Sequence, residues 1–269
     1  MRSSRTDILH ASDGPEGGAW PVFVDIHCHC LPGLDDGPAD GAEALALCRA
    51  LVADHVGTVV ATPHQLGRYD GLYDAQRIRQ AVADLNQMLA EAHVSLKVCP
   101  GADVRIDERI SDLLASDKIL TVGDAGRYLL LELPHEVFID PALLLAQLAE
   151  NGLQVVITHP ERHRFLAQRP DYVRHWVPHR PSLQITAGSF LGGFGPLSEQ
   201  AAWAFLEAPL PILVATDAHA MSGRAPRMSE AYRVLAQRLG REKAYVVCVE
   251  NPKRLLAGQD LLLLDGTAS

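Results

Sequence analysis

Short apolar runs alternate with longer amphipathic stretches along most of the chain. Seven runs read as strands, at 22–27, 58–62, 95–99, 128–133, 154–158, 183–186 and 211–216. Each is β-branched or aliphatic and too short for a typical helix. Between most of them, apolar residues recur at helical spacing, at 42–53, 73–93, 141–151, 198–207 and 229–239. Alternating strands and helices with short links predict a mainly parallel sheet, and near-continuous apolar strands predict that both faces are covered. The expected fold is α/β, a barrel of about seven strands, with an open doubly wound sheet as the alternative.

Domain organisation follows from where this pattern stops. Residues 1–20 are polar, Gly- and Ser-rich and unpatterned, and read as a flexible extension. The rest, 21–265, reads as one domain, with no internal repeat or linker. The first 20 residues lack the apolar core of a secretory leader, and no run approaches the ~20 apolar residues of a membrane span. A cytoplasmic protein without membrane insertion is therefore expected.

Composition changes this picture little. Of 269 residues, 48% are hydrophobic and 21% charged, ordinary for a globular domain. The net charge of −9 argues against nucleic acid as a partner. Part of it would be neutralised by bound cations. The five cysteines, Cys28, Cys30, Cys48, Cys99 and Cys248, form no CxxC pair and read as reduced thiols.

The chemistry sits at the strand ends. The first run ends in Asp25-Ile26-His27-Cys28-His29, the second in Thr62-Pro63-His64 and the third in Gly101-Ala102-Asp103. The fourth carries Glu132, the fifth runs into His159-Pro160-Glu161-Arg162, and the seventh into Asp217-Ala218-His219. The C-terminal rim of parallel strands is where barrel enzymes build their sites. Six strand ends aiming imidazole or carboxylate at one mouth are hard to explain by packing. Residues two apart share a strand face, so His27 and His29 should point together with Asp25 below, and Ile26 and Cys28 should face the helices. Mixed imidazole and carboxylate ligands suit Mn, Fe or Zn rather than Ca.

Other polar residues read less sharply. The loop holding Asp35 and Asp36 reads either as a turn or as a carboxylate delivered to a metal. Arg162 and Arg224 are phosphate-binding candidates or solvated surface charges. His135 and His163 are candidates for the rim. His10, His55, His93, His175 and His179 carry no signal, and Asp54 reads as a solvated charge.

The strings DIHCHCLPGLDDGP, VVATPH, GADVR, GRYLLLELP, VITHPERH, TDAHAMSGRAPRM and ENPKRLL span Asp25 to Leu256. Together they resemble the PHP (polymerase and histidinol phosphatase) superfamily. Within it the chain is similar to the CpsB/YwqE-like protein-tyrosine phosphatases of bacterial capsule and exopolysaccharide operons. The resemblance implies a distorted (β/α)7 barrel with a trinuclear metal site. It implies metal ligation by His27, His29, Asp36, His64, Glu132, His159, Asp217 and His219, and phosphate binding by Arg162 and Arg224. Relatives carry Glu where this chain has Asp103. The shorter side chain draws the carboxylate back by roughly 1.5 Å, so two metal ions are safer to expect than three. The cofactors implied are two or three divalent ions, manganese first, with Fe, Zn, Mg or Co as alternatives.

The implied reaction is hydrolysis of phosphotyrosine by metal-bridged hydroxide, the substrate being the C-terminal tail of a bacterial tyrosine kinase. A cysteine nucleophile is not expected, and His163 is a candidate general acid. The rival readings are histidinol-phosphate or another small-molecule phosphatase, a nuclease of the same fold, and a metal-binding regulator without catalysis.

Overall fold

The structure is a computed structural model and describes residues 19–264. All but the end of the expected N-terminal extension therefore lies outside the described residues. Strands β1 (Phe23–Cys28), β2 (Val56–Ala61) and β4 (Lys97–Pro100) form one parallel sheet, in the order β1-β2-β4. Strands β3 (His64–Gln65), β5 (Asp103–Arg105), β6 (Tyr128–Glu132), β7 (Gln154–Thr158), β8 (Ser182–Thr186) and β9 (Ile212–Ala215) form the other, in chain order.

Nine segments replace the seven expected strands because two paths are broken. β2 and β3 are interrupted at Thr62-Pro63, and β4 and β5 at Gly101-Ala102. Pro63 has no N–H to extend a ladder. Gly101 sits so close to β2 that a Cβ there would stand 2.6 Å from Val60 Cγ1. Joining the broken paths restores seven strands in the order of a (β/α)7 ring. The ring is distorted: β9 and β1 share no ladder, but a bridge joins Cys28 and Ala218, with His29 N donating to Ala218 O at 2.9 Å and Asp217 N to His27 O at 2.8 Å, and Thr216 N donates to Asp25 Oδ1 at 3.0 Å.

The helices are α1 (Gly41–Ala53), α2 (Ala75–Glu91), α3 (Ile110–Ala115), α4 (Ala142–Glu150), α5 (Arg164–Gln168), α6 (Pro196–Phe205), α7 (Met228–Leu239), α8 (Arg241–Tyr245) and α9 (Asn251–Leu256). The five expected helices correspond to α1, α2, α4, α6 and α7. The others are too short to show periodicity.

Alternation along the strands divides the core. Leu129 and Leu131 of β6 join the large cluster packed with the helices, whereas Tyr128 and Leu130 join a smaller inner one. That inner cluster includes Ile26, Val60, Val156, Leu213 and Leu255 of α9. Each fully buried Leu or Val contributes about 1.5–3 kcal/mol, so the lower ring is filled with hydrocarbon. The same inner faces turn polar one step higher, at Glu132 on β6, Thr158 on β7 and Asp217 beyond β9.

Two expectations fail here. Ile26 faces the inner cluster, not the helices. The pairing of β1 with β2 slips between Asp25 and Cys28, so strict alternation is lost there. Cys28 does face outward, into the helix-side cluster with Cys30 and Cys48. Asp54 is not a solvated charge. It accepts from Met228 N at 2.5 Å, from Ser229 N at 3.0 Å and from the Ser229 hydroxyl, and so caps the start of α7 from a distance. Asp54→Ala should lose about 1–2 kcal/mol of stability. That corresponds to about 2–4 °C of Tm per kcal/mol, readable by thermal melting. An unchanged Tm would contradict the capping role.

Candidate metal centre

The nine proposed ligands meet in one basin at the C-terminal ends of the strands. Five overlapping groups of possible ligand atoms, each within 4.8 Å, are present: His29–Asp36–His64–His219, His27–His29–Asp217, His27–Asp103–His159, Glu132–His135–His159 and His64–Asp103–Glu132. The basin opens into a cavity of 280 Å³ whose wall includes Asp36, His64, Arg105, His135, Arg162 and Arg224.

Backbone shape brings these side chains inward. His159 (φ 35°) and Asp217 (φ 50°) are both left-handed non-glycine residues at strand ends. Such conformations cost of order 1–3 kcal/mol and persist only where their surroundings enforce them. At Asp217 the reversal lets Asp217 and His219 both turn toward the basin, their nearest side-chain atoms 3.6 Å apart.

Each central imidazole is fixed through Nδ1. His27 Nδ1 meets Gln184 Oε1 at 2.8 Å, His29 Nδ1 meets Asp35 Oδ2 at 2.6 Å, and His219 Nδ1 meets the carbonyl of Asp217 at 3.0 Å. These acceptors hold the proton on Nδ1 and leave the Nε2 lone pair facing the basin. The Nε2 atoms of His27 and His29 stand 3.2 Å apart. Two ring nitrogens so close need positive charge between them, a shared proton or a cation.

The carboxylates give the same answer. Asp103 Oδ1 accepts from the Thr158 hydroxyl at 3.1 Å, but its Oδ2 is buried without a hydrogen-bond donor. Oδ2 lies 3.7 Å from His27 Nε2, 3.5 Å from His64 Nδ1 and 3.7 Å from His159 Nε2. The short side chain therefore still reaches the centre, because the break at Gly101-Ala102 sets the start of β5 at the mouth. Asp217 Oδ1 and His219 Nε2 are likewise buried and unpartnered. Burial and the charge of Asp103 push the Glu132 carboxyl up to about 7. These orphaned acceptors fit a site for divalent cations.

The arginines stand on the outer side. Arg162 Nη1 and Arg224 Nη2 both donate to Asp217 Oδ2, and the Arg162 guanidinium lies over the Phe194 ring with its carbon 4.6 Å from the centroid. Glu161 fixes the turn beneath them. Its buried carboxylate accepts from Thr186 N at 2.9 Å and the Ser189 hydroxyl at 2.7 Å.

Several assignments change. His135 joins the basin, with Nε2 3.4 Å from His159 Nδ1. His163 does not. Its Nδ1 accepts from Phe165 N at 3.1 Å and Leu166 N at 3.4 Å, capping α5, and its Nε2 meets Val137 O at 3.4 Å. That geometry excludes it as the general acid. Asp35, next to Asp36, orients His29 and also accepts from His64 N at 3.0 Å. Gln184 left a signal in the sequence, a long amide in the middle of a buried strand. Asp35 left none to separate it from its neighbour.

The chain does contain the spacing Cys, five residues, Arg, twice: Cys99 to Arg105 and Cys248 to Arg254. Neither forms a phosphate loop. Cys99 lies on β4, paired with Val60 and packed on the inner cluster, and burial raises its thiol. Cys248 is buried within the π-helical stretch Val246–Glu250, where burial pushes its thiol far up. Burial also pushes the Cys28 thiol up to about 11.

A parallel α/β ring whose strand ends gather imidazoles and carboxylates around a cavity defines a metal-site hydrolase architecture. Residues 23–257 match the family described as capsular polysaccharide synthesis, CpsB/CapC, and the chain belongs to that family. It is 35% identical over 242 residues to tyrosine-protein phosphatase YwqE of Bacillus subtilis (strain 168), covering 89% of this chain and 93% of the relative. It is 28% identical over 245 residues to tyrosine-protein phosphatase CpsB of Streptococcus pneumoniae, covering 88% and 99%. The crystal structures of YwqE from Bacillus subtilis and CpsB from Streptococcus pneumoniae, described as unique metal-dependent tyrosine phosphatases, include a chain that superposes with a TM-score of 0.84. That chain is 34% identical, with 90% of this chain and 97% of that one covered.

Two outcomes are expected. Gln184→Leu removes the acceptor for His27 Nδ1 and should weaken metal binding about 10- to 100-fold. A manganese titration of folded protein would show it, and unchanged affinity would contradict the anchoring role. Cys28→Ser should keep metal content and turnover within about twofold, since the thiol is outside the basin and protonated. Loss of turnover at full metal load would place Cys28 in the site.

Proposed function

We propose that this protein is a metal-dependent protein-tyrosine phosphatase acting on phosphotyrosine in a protein of polysaccharide synthesis, such as the tail of a tyrosine kinase. The observation that carries the reading is the set of buried, unpartnered acceptors, Asp103 Oδ2, Asp217 Oδ1 and His219 Nε2, directly beneath two arginines. The family and its tyrosine-phosphatase members support the substrate class.

Nine residues would hold two or three divalent ions, manganese first: His27, His29, Asp36, His64, Asp103, Glu132, His159, Asp217 and His219, with His135 as a further donor. The ions, when bound, supply positive charge that acidifies water and neutralises the phosphoryl group. Asp103 belongs to two of the ligand groups and would help hold an ion in either. Arg162 and Arg224 would bind phosphoryl oxygens at the cavity wall, where a planar guanidinium offers paired donors. Asp217 Oδ2 pins both, so the ligand that helps hold a cation also sets the direction of the arginines. The phenolic leaving group is fairly stable as an anion, so a protein proton donor is less necessary than for an alkyl phosphate.

No described helix is long and apolar enough to cross a membrane. The five cysteines are free and four are buried, which supports a reducing, cytoplasmic setting.

Protein loaded with Mn²⁺ should hydrolyse para-nitrophenyl phosphate and phosphotyrosine peptides in preference to histidinol phosphate. Chelation or His27→Ala should reduce turnover at least about 100-fold, as expected when the groups assembling the nucleophile are lost. Turnover that survives exhaustive chelation would contradict the metal mechanism.

A further inference from the structure

We propose that Arg105 is a third phosphoryl-binding arginine, entering the cavity from β5, far around the ring from the strand that precedes Arg224. The proposal rests on the phosphatase reading of this site and adds a residue to its substrate contacts.

The strand places Arg105 there. Asp103 and Arg105 are two apart on β5, so they share its inner face, while Val104 between them is buried toward the helices. Arg105 stands in register with Glu132 of β6, and its Nε lies 3.3 Å from Glu132 Oε2. Arg105 lines the same cavity as Arg162 and Arg224. In the ring, β6, β7 and β8 lie between β5 and β9 on one side, and β1 and β2 on the other. Arg105 therefore enters from far around the mouth from Arg224, which follows β9.

The side chain is seated and incompletely used. Gly67, at φ +57°, lies against its stem, where a Cβ would come within 3.2 Å of Arg105 Cγ and 3.4 Å of Nε. Leu66 is also left-handed, at φ 67°, so the chain curls to make this seat. The guanidinium Nη1 is buried with no hydrogen-bond partner. The side chain is 32% exposed and its charge is paired with Glu132, but this one buried N–H without an acceptor is costly unless something fills the place. All three arginines follow one plan: each is tethered to a carboxylate among the proposed metal ligands, Glu132 for Arg105 and Asp217 for the other two. A phosphoryl group presents three non-bridging oxygens. Two guanidinium groups are fixed to Asp217 and Arg105 to Glu132, so the phosphoryl oxygens would meet donors held at two separate points of the cavity wall.

The simpler alternative is that Arg105 only balances the charge of Glu132. Full-length protein loaded with Mn²⁺ separates the two. Metal content, KM for a phosphotyrosine peptide, the inhibition constant of orthophosphate, and orthophosphate binding by calorimetry are measured for the unaltered chain, Arg105→Met, Arg105→Lys and Gly67→Ala. The expected result is a rise of about 10- to 100-fold in KM and in the orthophosphate constants for Arg105→Met at unchanged metal content. Arg105→Lys should recover part of the loss. Gly67→Ala, which displaces the arginine without removing its charge, should show a smaller rise. The proposal is overturned if Arg105→Met at full metal load binds orthophosphate as the unaltered chain does, or if its binding falls only in proportion to lost metal. If the unaltered chain itself fails to hydrolyse the peptide, the phosphatase reading falls first. If it turns over normally while Arg105→Met binds phosphate unchanged, only Arg105 is misassigned.

Discussion

Two carboxylate oxygens of the basin, Asp103 Oδ2 and Asp217 Oδ1, are buried without a hydrogen-bond donor and set the terms for the rest of this structure. An uncompensated buried charge costs several kcal/mol. The chain compensates only the other oxygen of each pair, with Thr158 on Asp103 and two arginines on Asp217. What faces the orphaned oxygens is imidazole nitrogen, turned inward because Gln184, Asp35 and the Asp217 carbonyl hold the opposite nitrogens. Carboxylate and imidazole lone pairs aimed at each other require positive charge between them, which bound cations or ring protons supply.

That requirement bears on several of the fold's irregularities. The lower ring is filled largely with aliphatic side chains. At the mouth stand the slip in β1 before Cys28, the breaks at Pro63 and Gly101, and the left-handed His159 and Asp217. Each turns a strand end so that its ligand atom reaches the basin. The seam between β1 and β9 is made by backbone bonds from His29 and Asp217 themselves and by Asp25 with Thr216, so the segments that carry ligands also join the ring.

Much of this was legible in the sequence, for a physical reason. Parallel strands buried on both faces appear as apolar runs, and their C-terminal ends are the natural place for His27, His64, Asp103 and Asp217 to stand out. What strict alternation could not foresee was the slip that turns Ile26 inward. Nor could it separate Asp35 from Asp36, which differ in role only because one points back to His29 and the other across to His219. His163 looked like a rim residue by position, yet the turn after His159 directs it to the start of α5. Arg105 shared the spacing that made His27 and His29 visible, but a lone arginine at a strand end carries no signal until its cavity and its unfilled donor are seen. The long-range partnership of Asp54 with α7 also lies beyond any local pattern, since the partners are 174 and 175 residues apart.

The central claim is that the orphaned atoms surround cations. Diffraction from crystals grown with Mn²⁺, recorded at the manganese absorption edge, tests it most directly. At least two anomalous peaks should lie in the basin, one of them within bonding distance of imidazole nitrogens and in contact with Asp103 Oδ2. A basin without a peak in protein soaked to saturation, or manganese bound only outside it, would contradict the account.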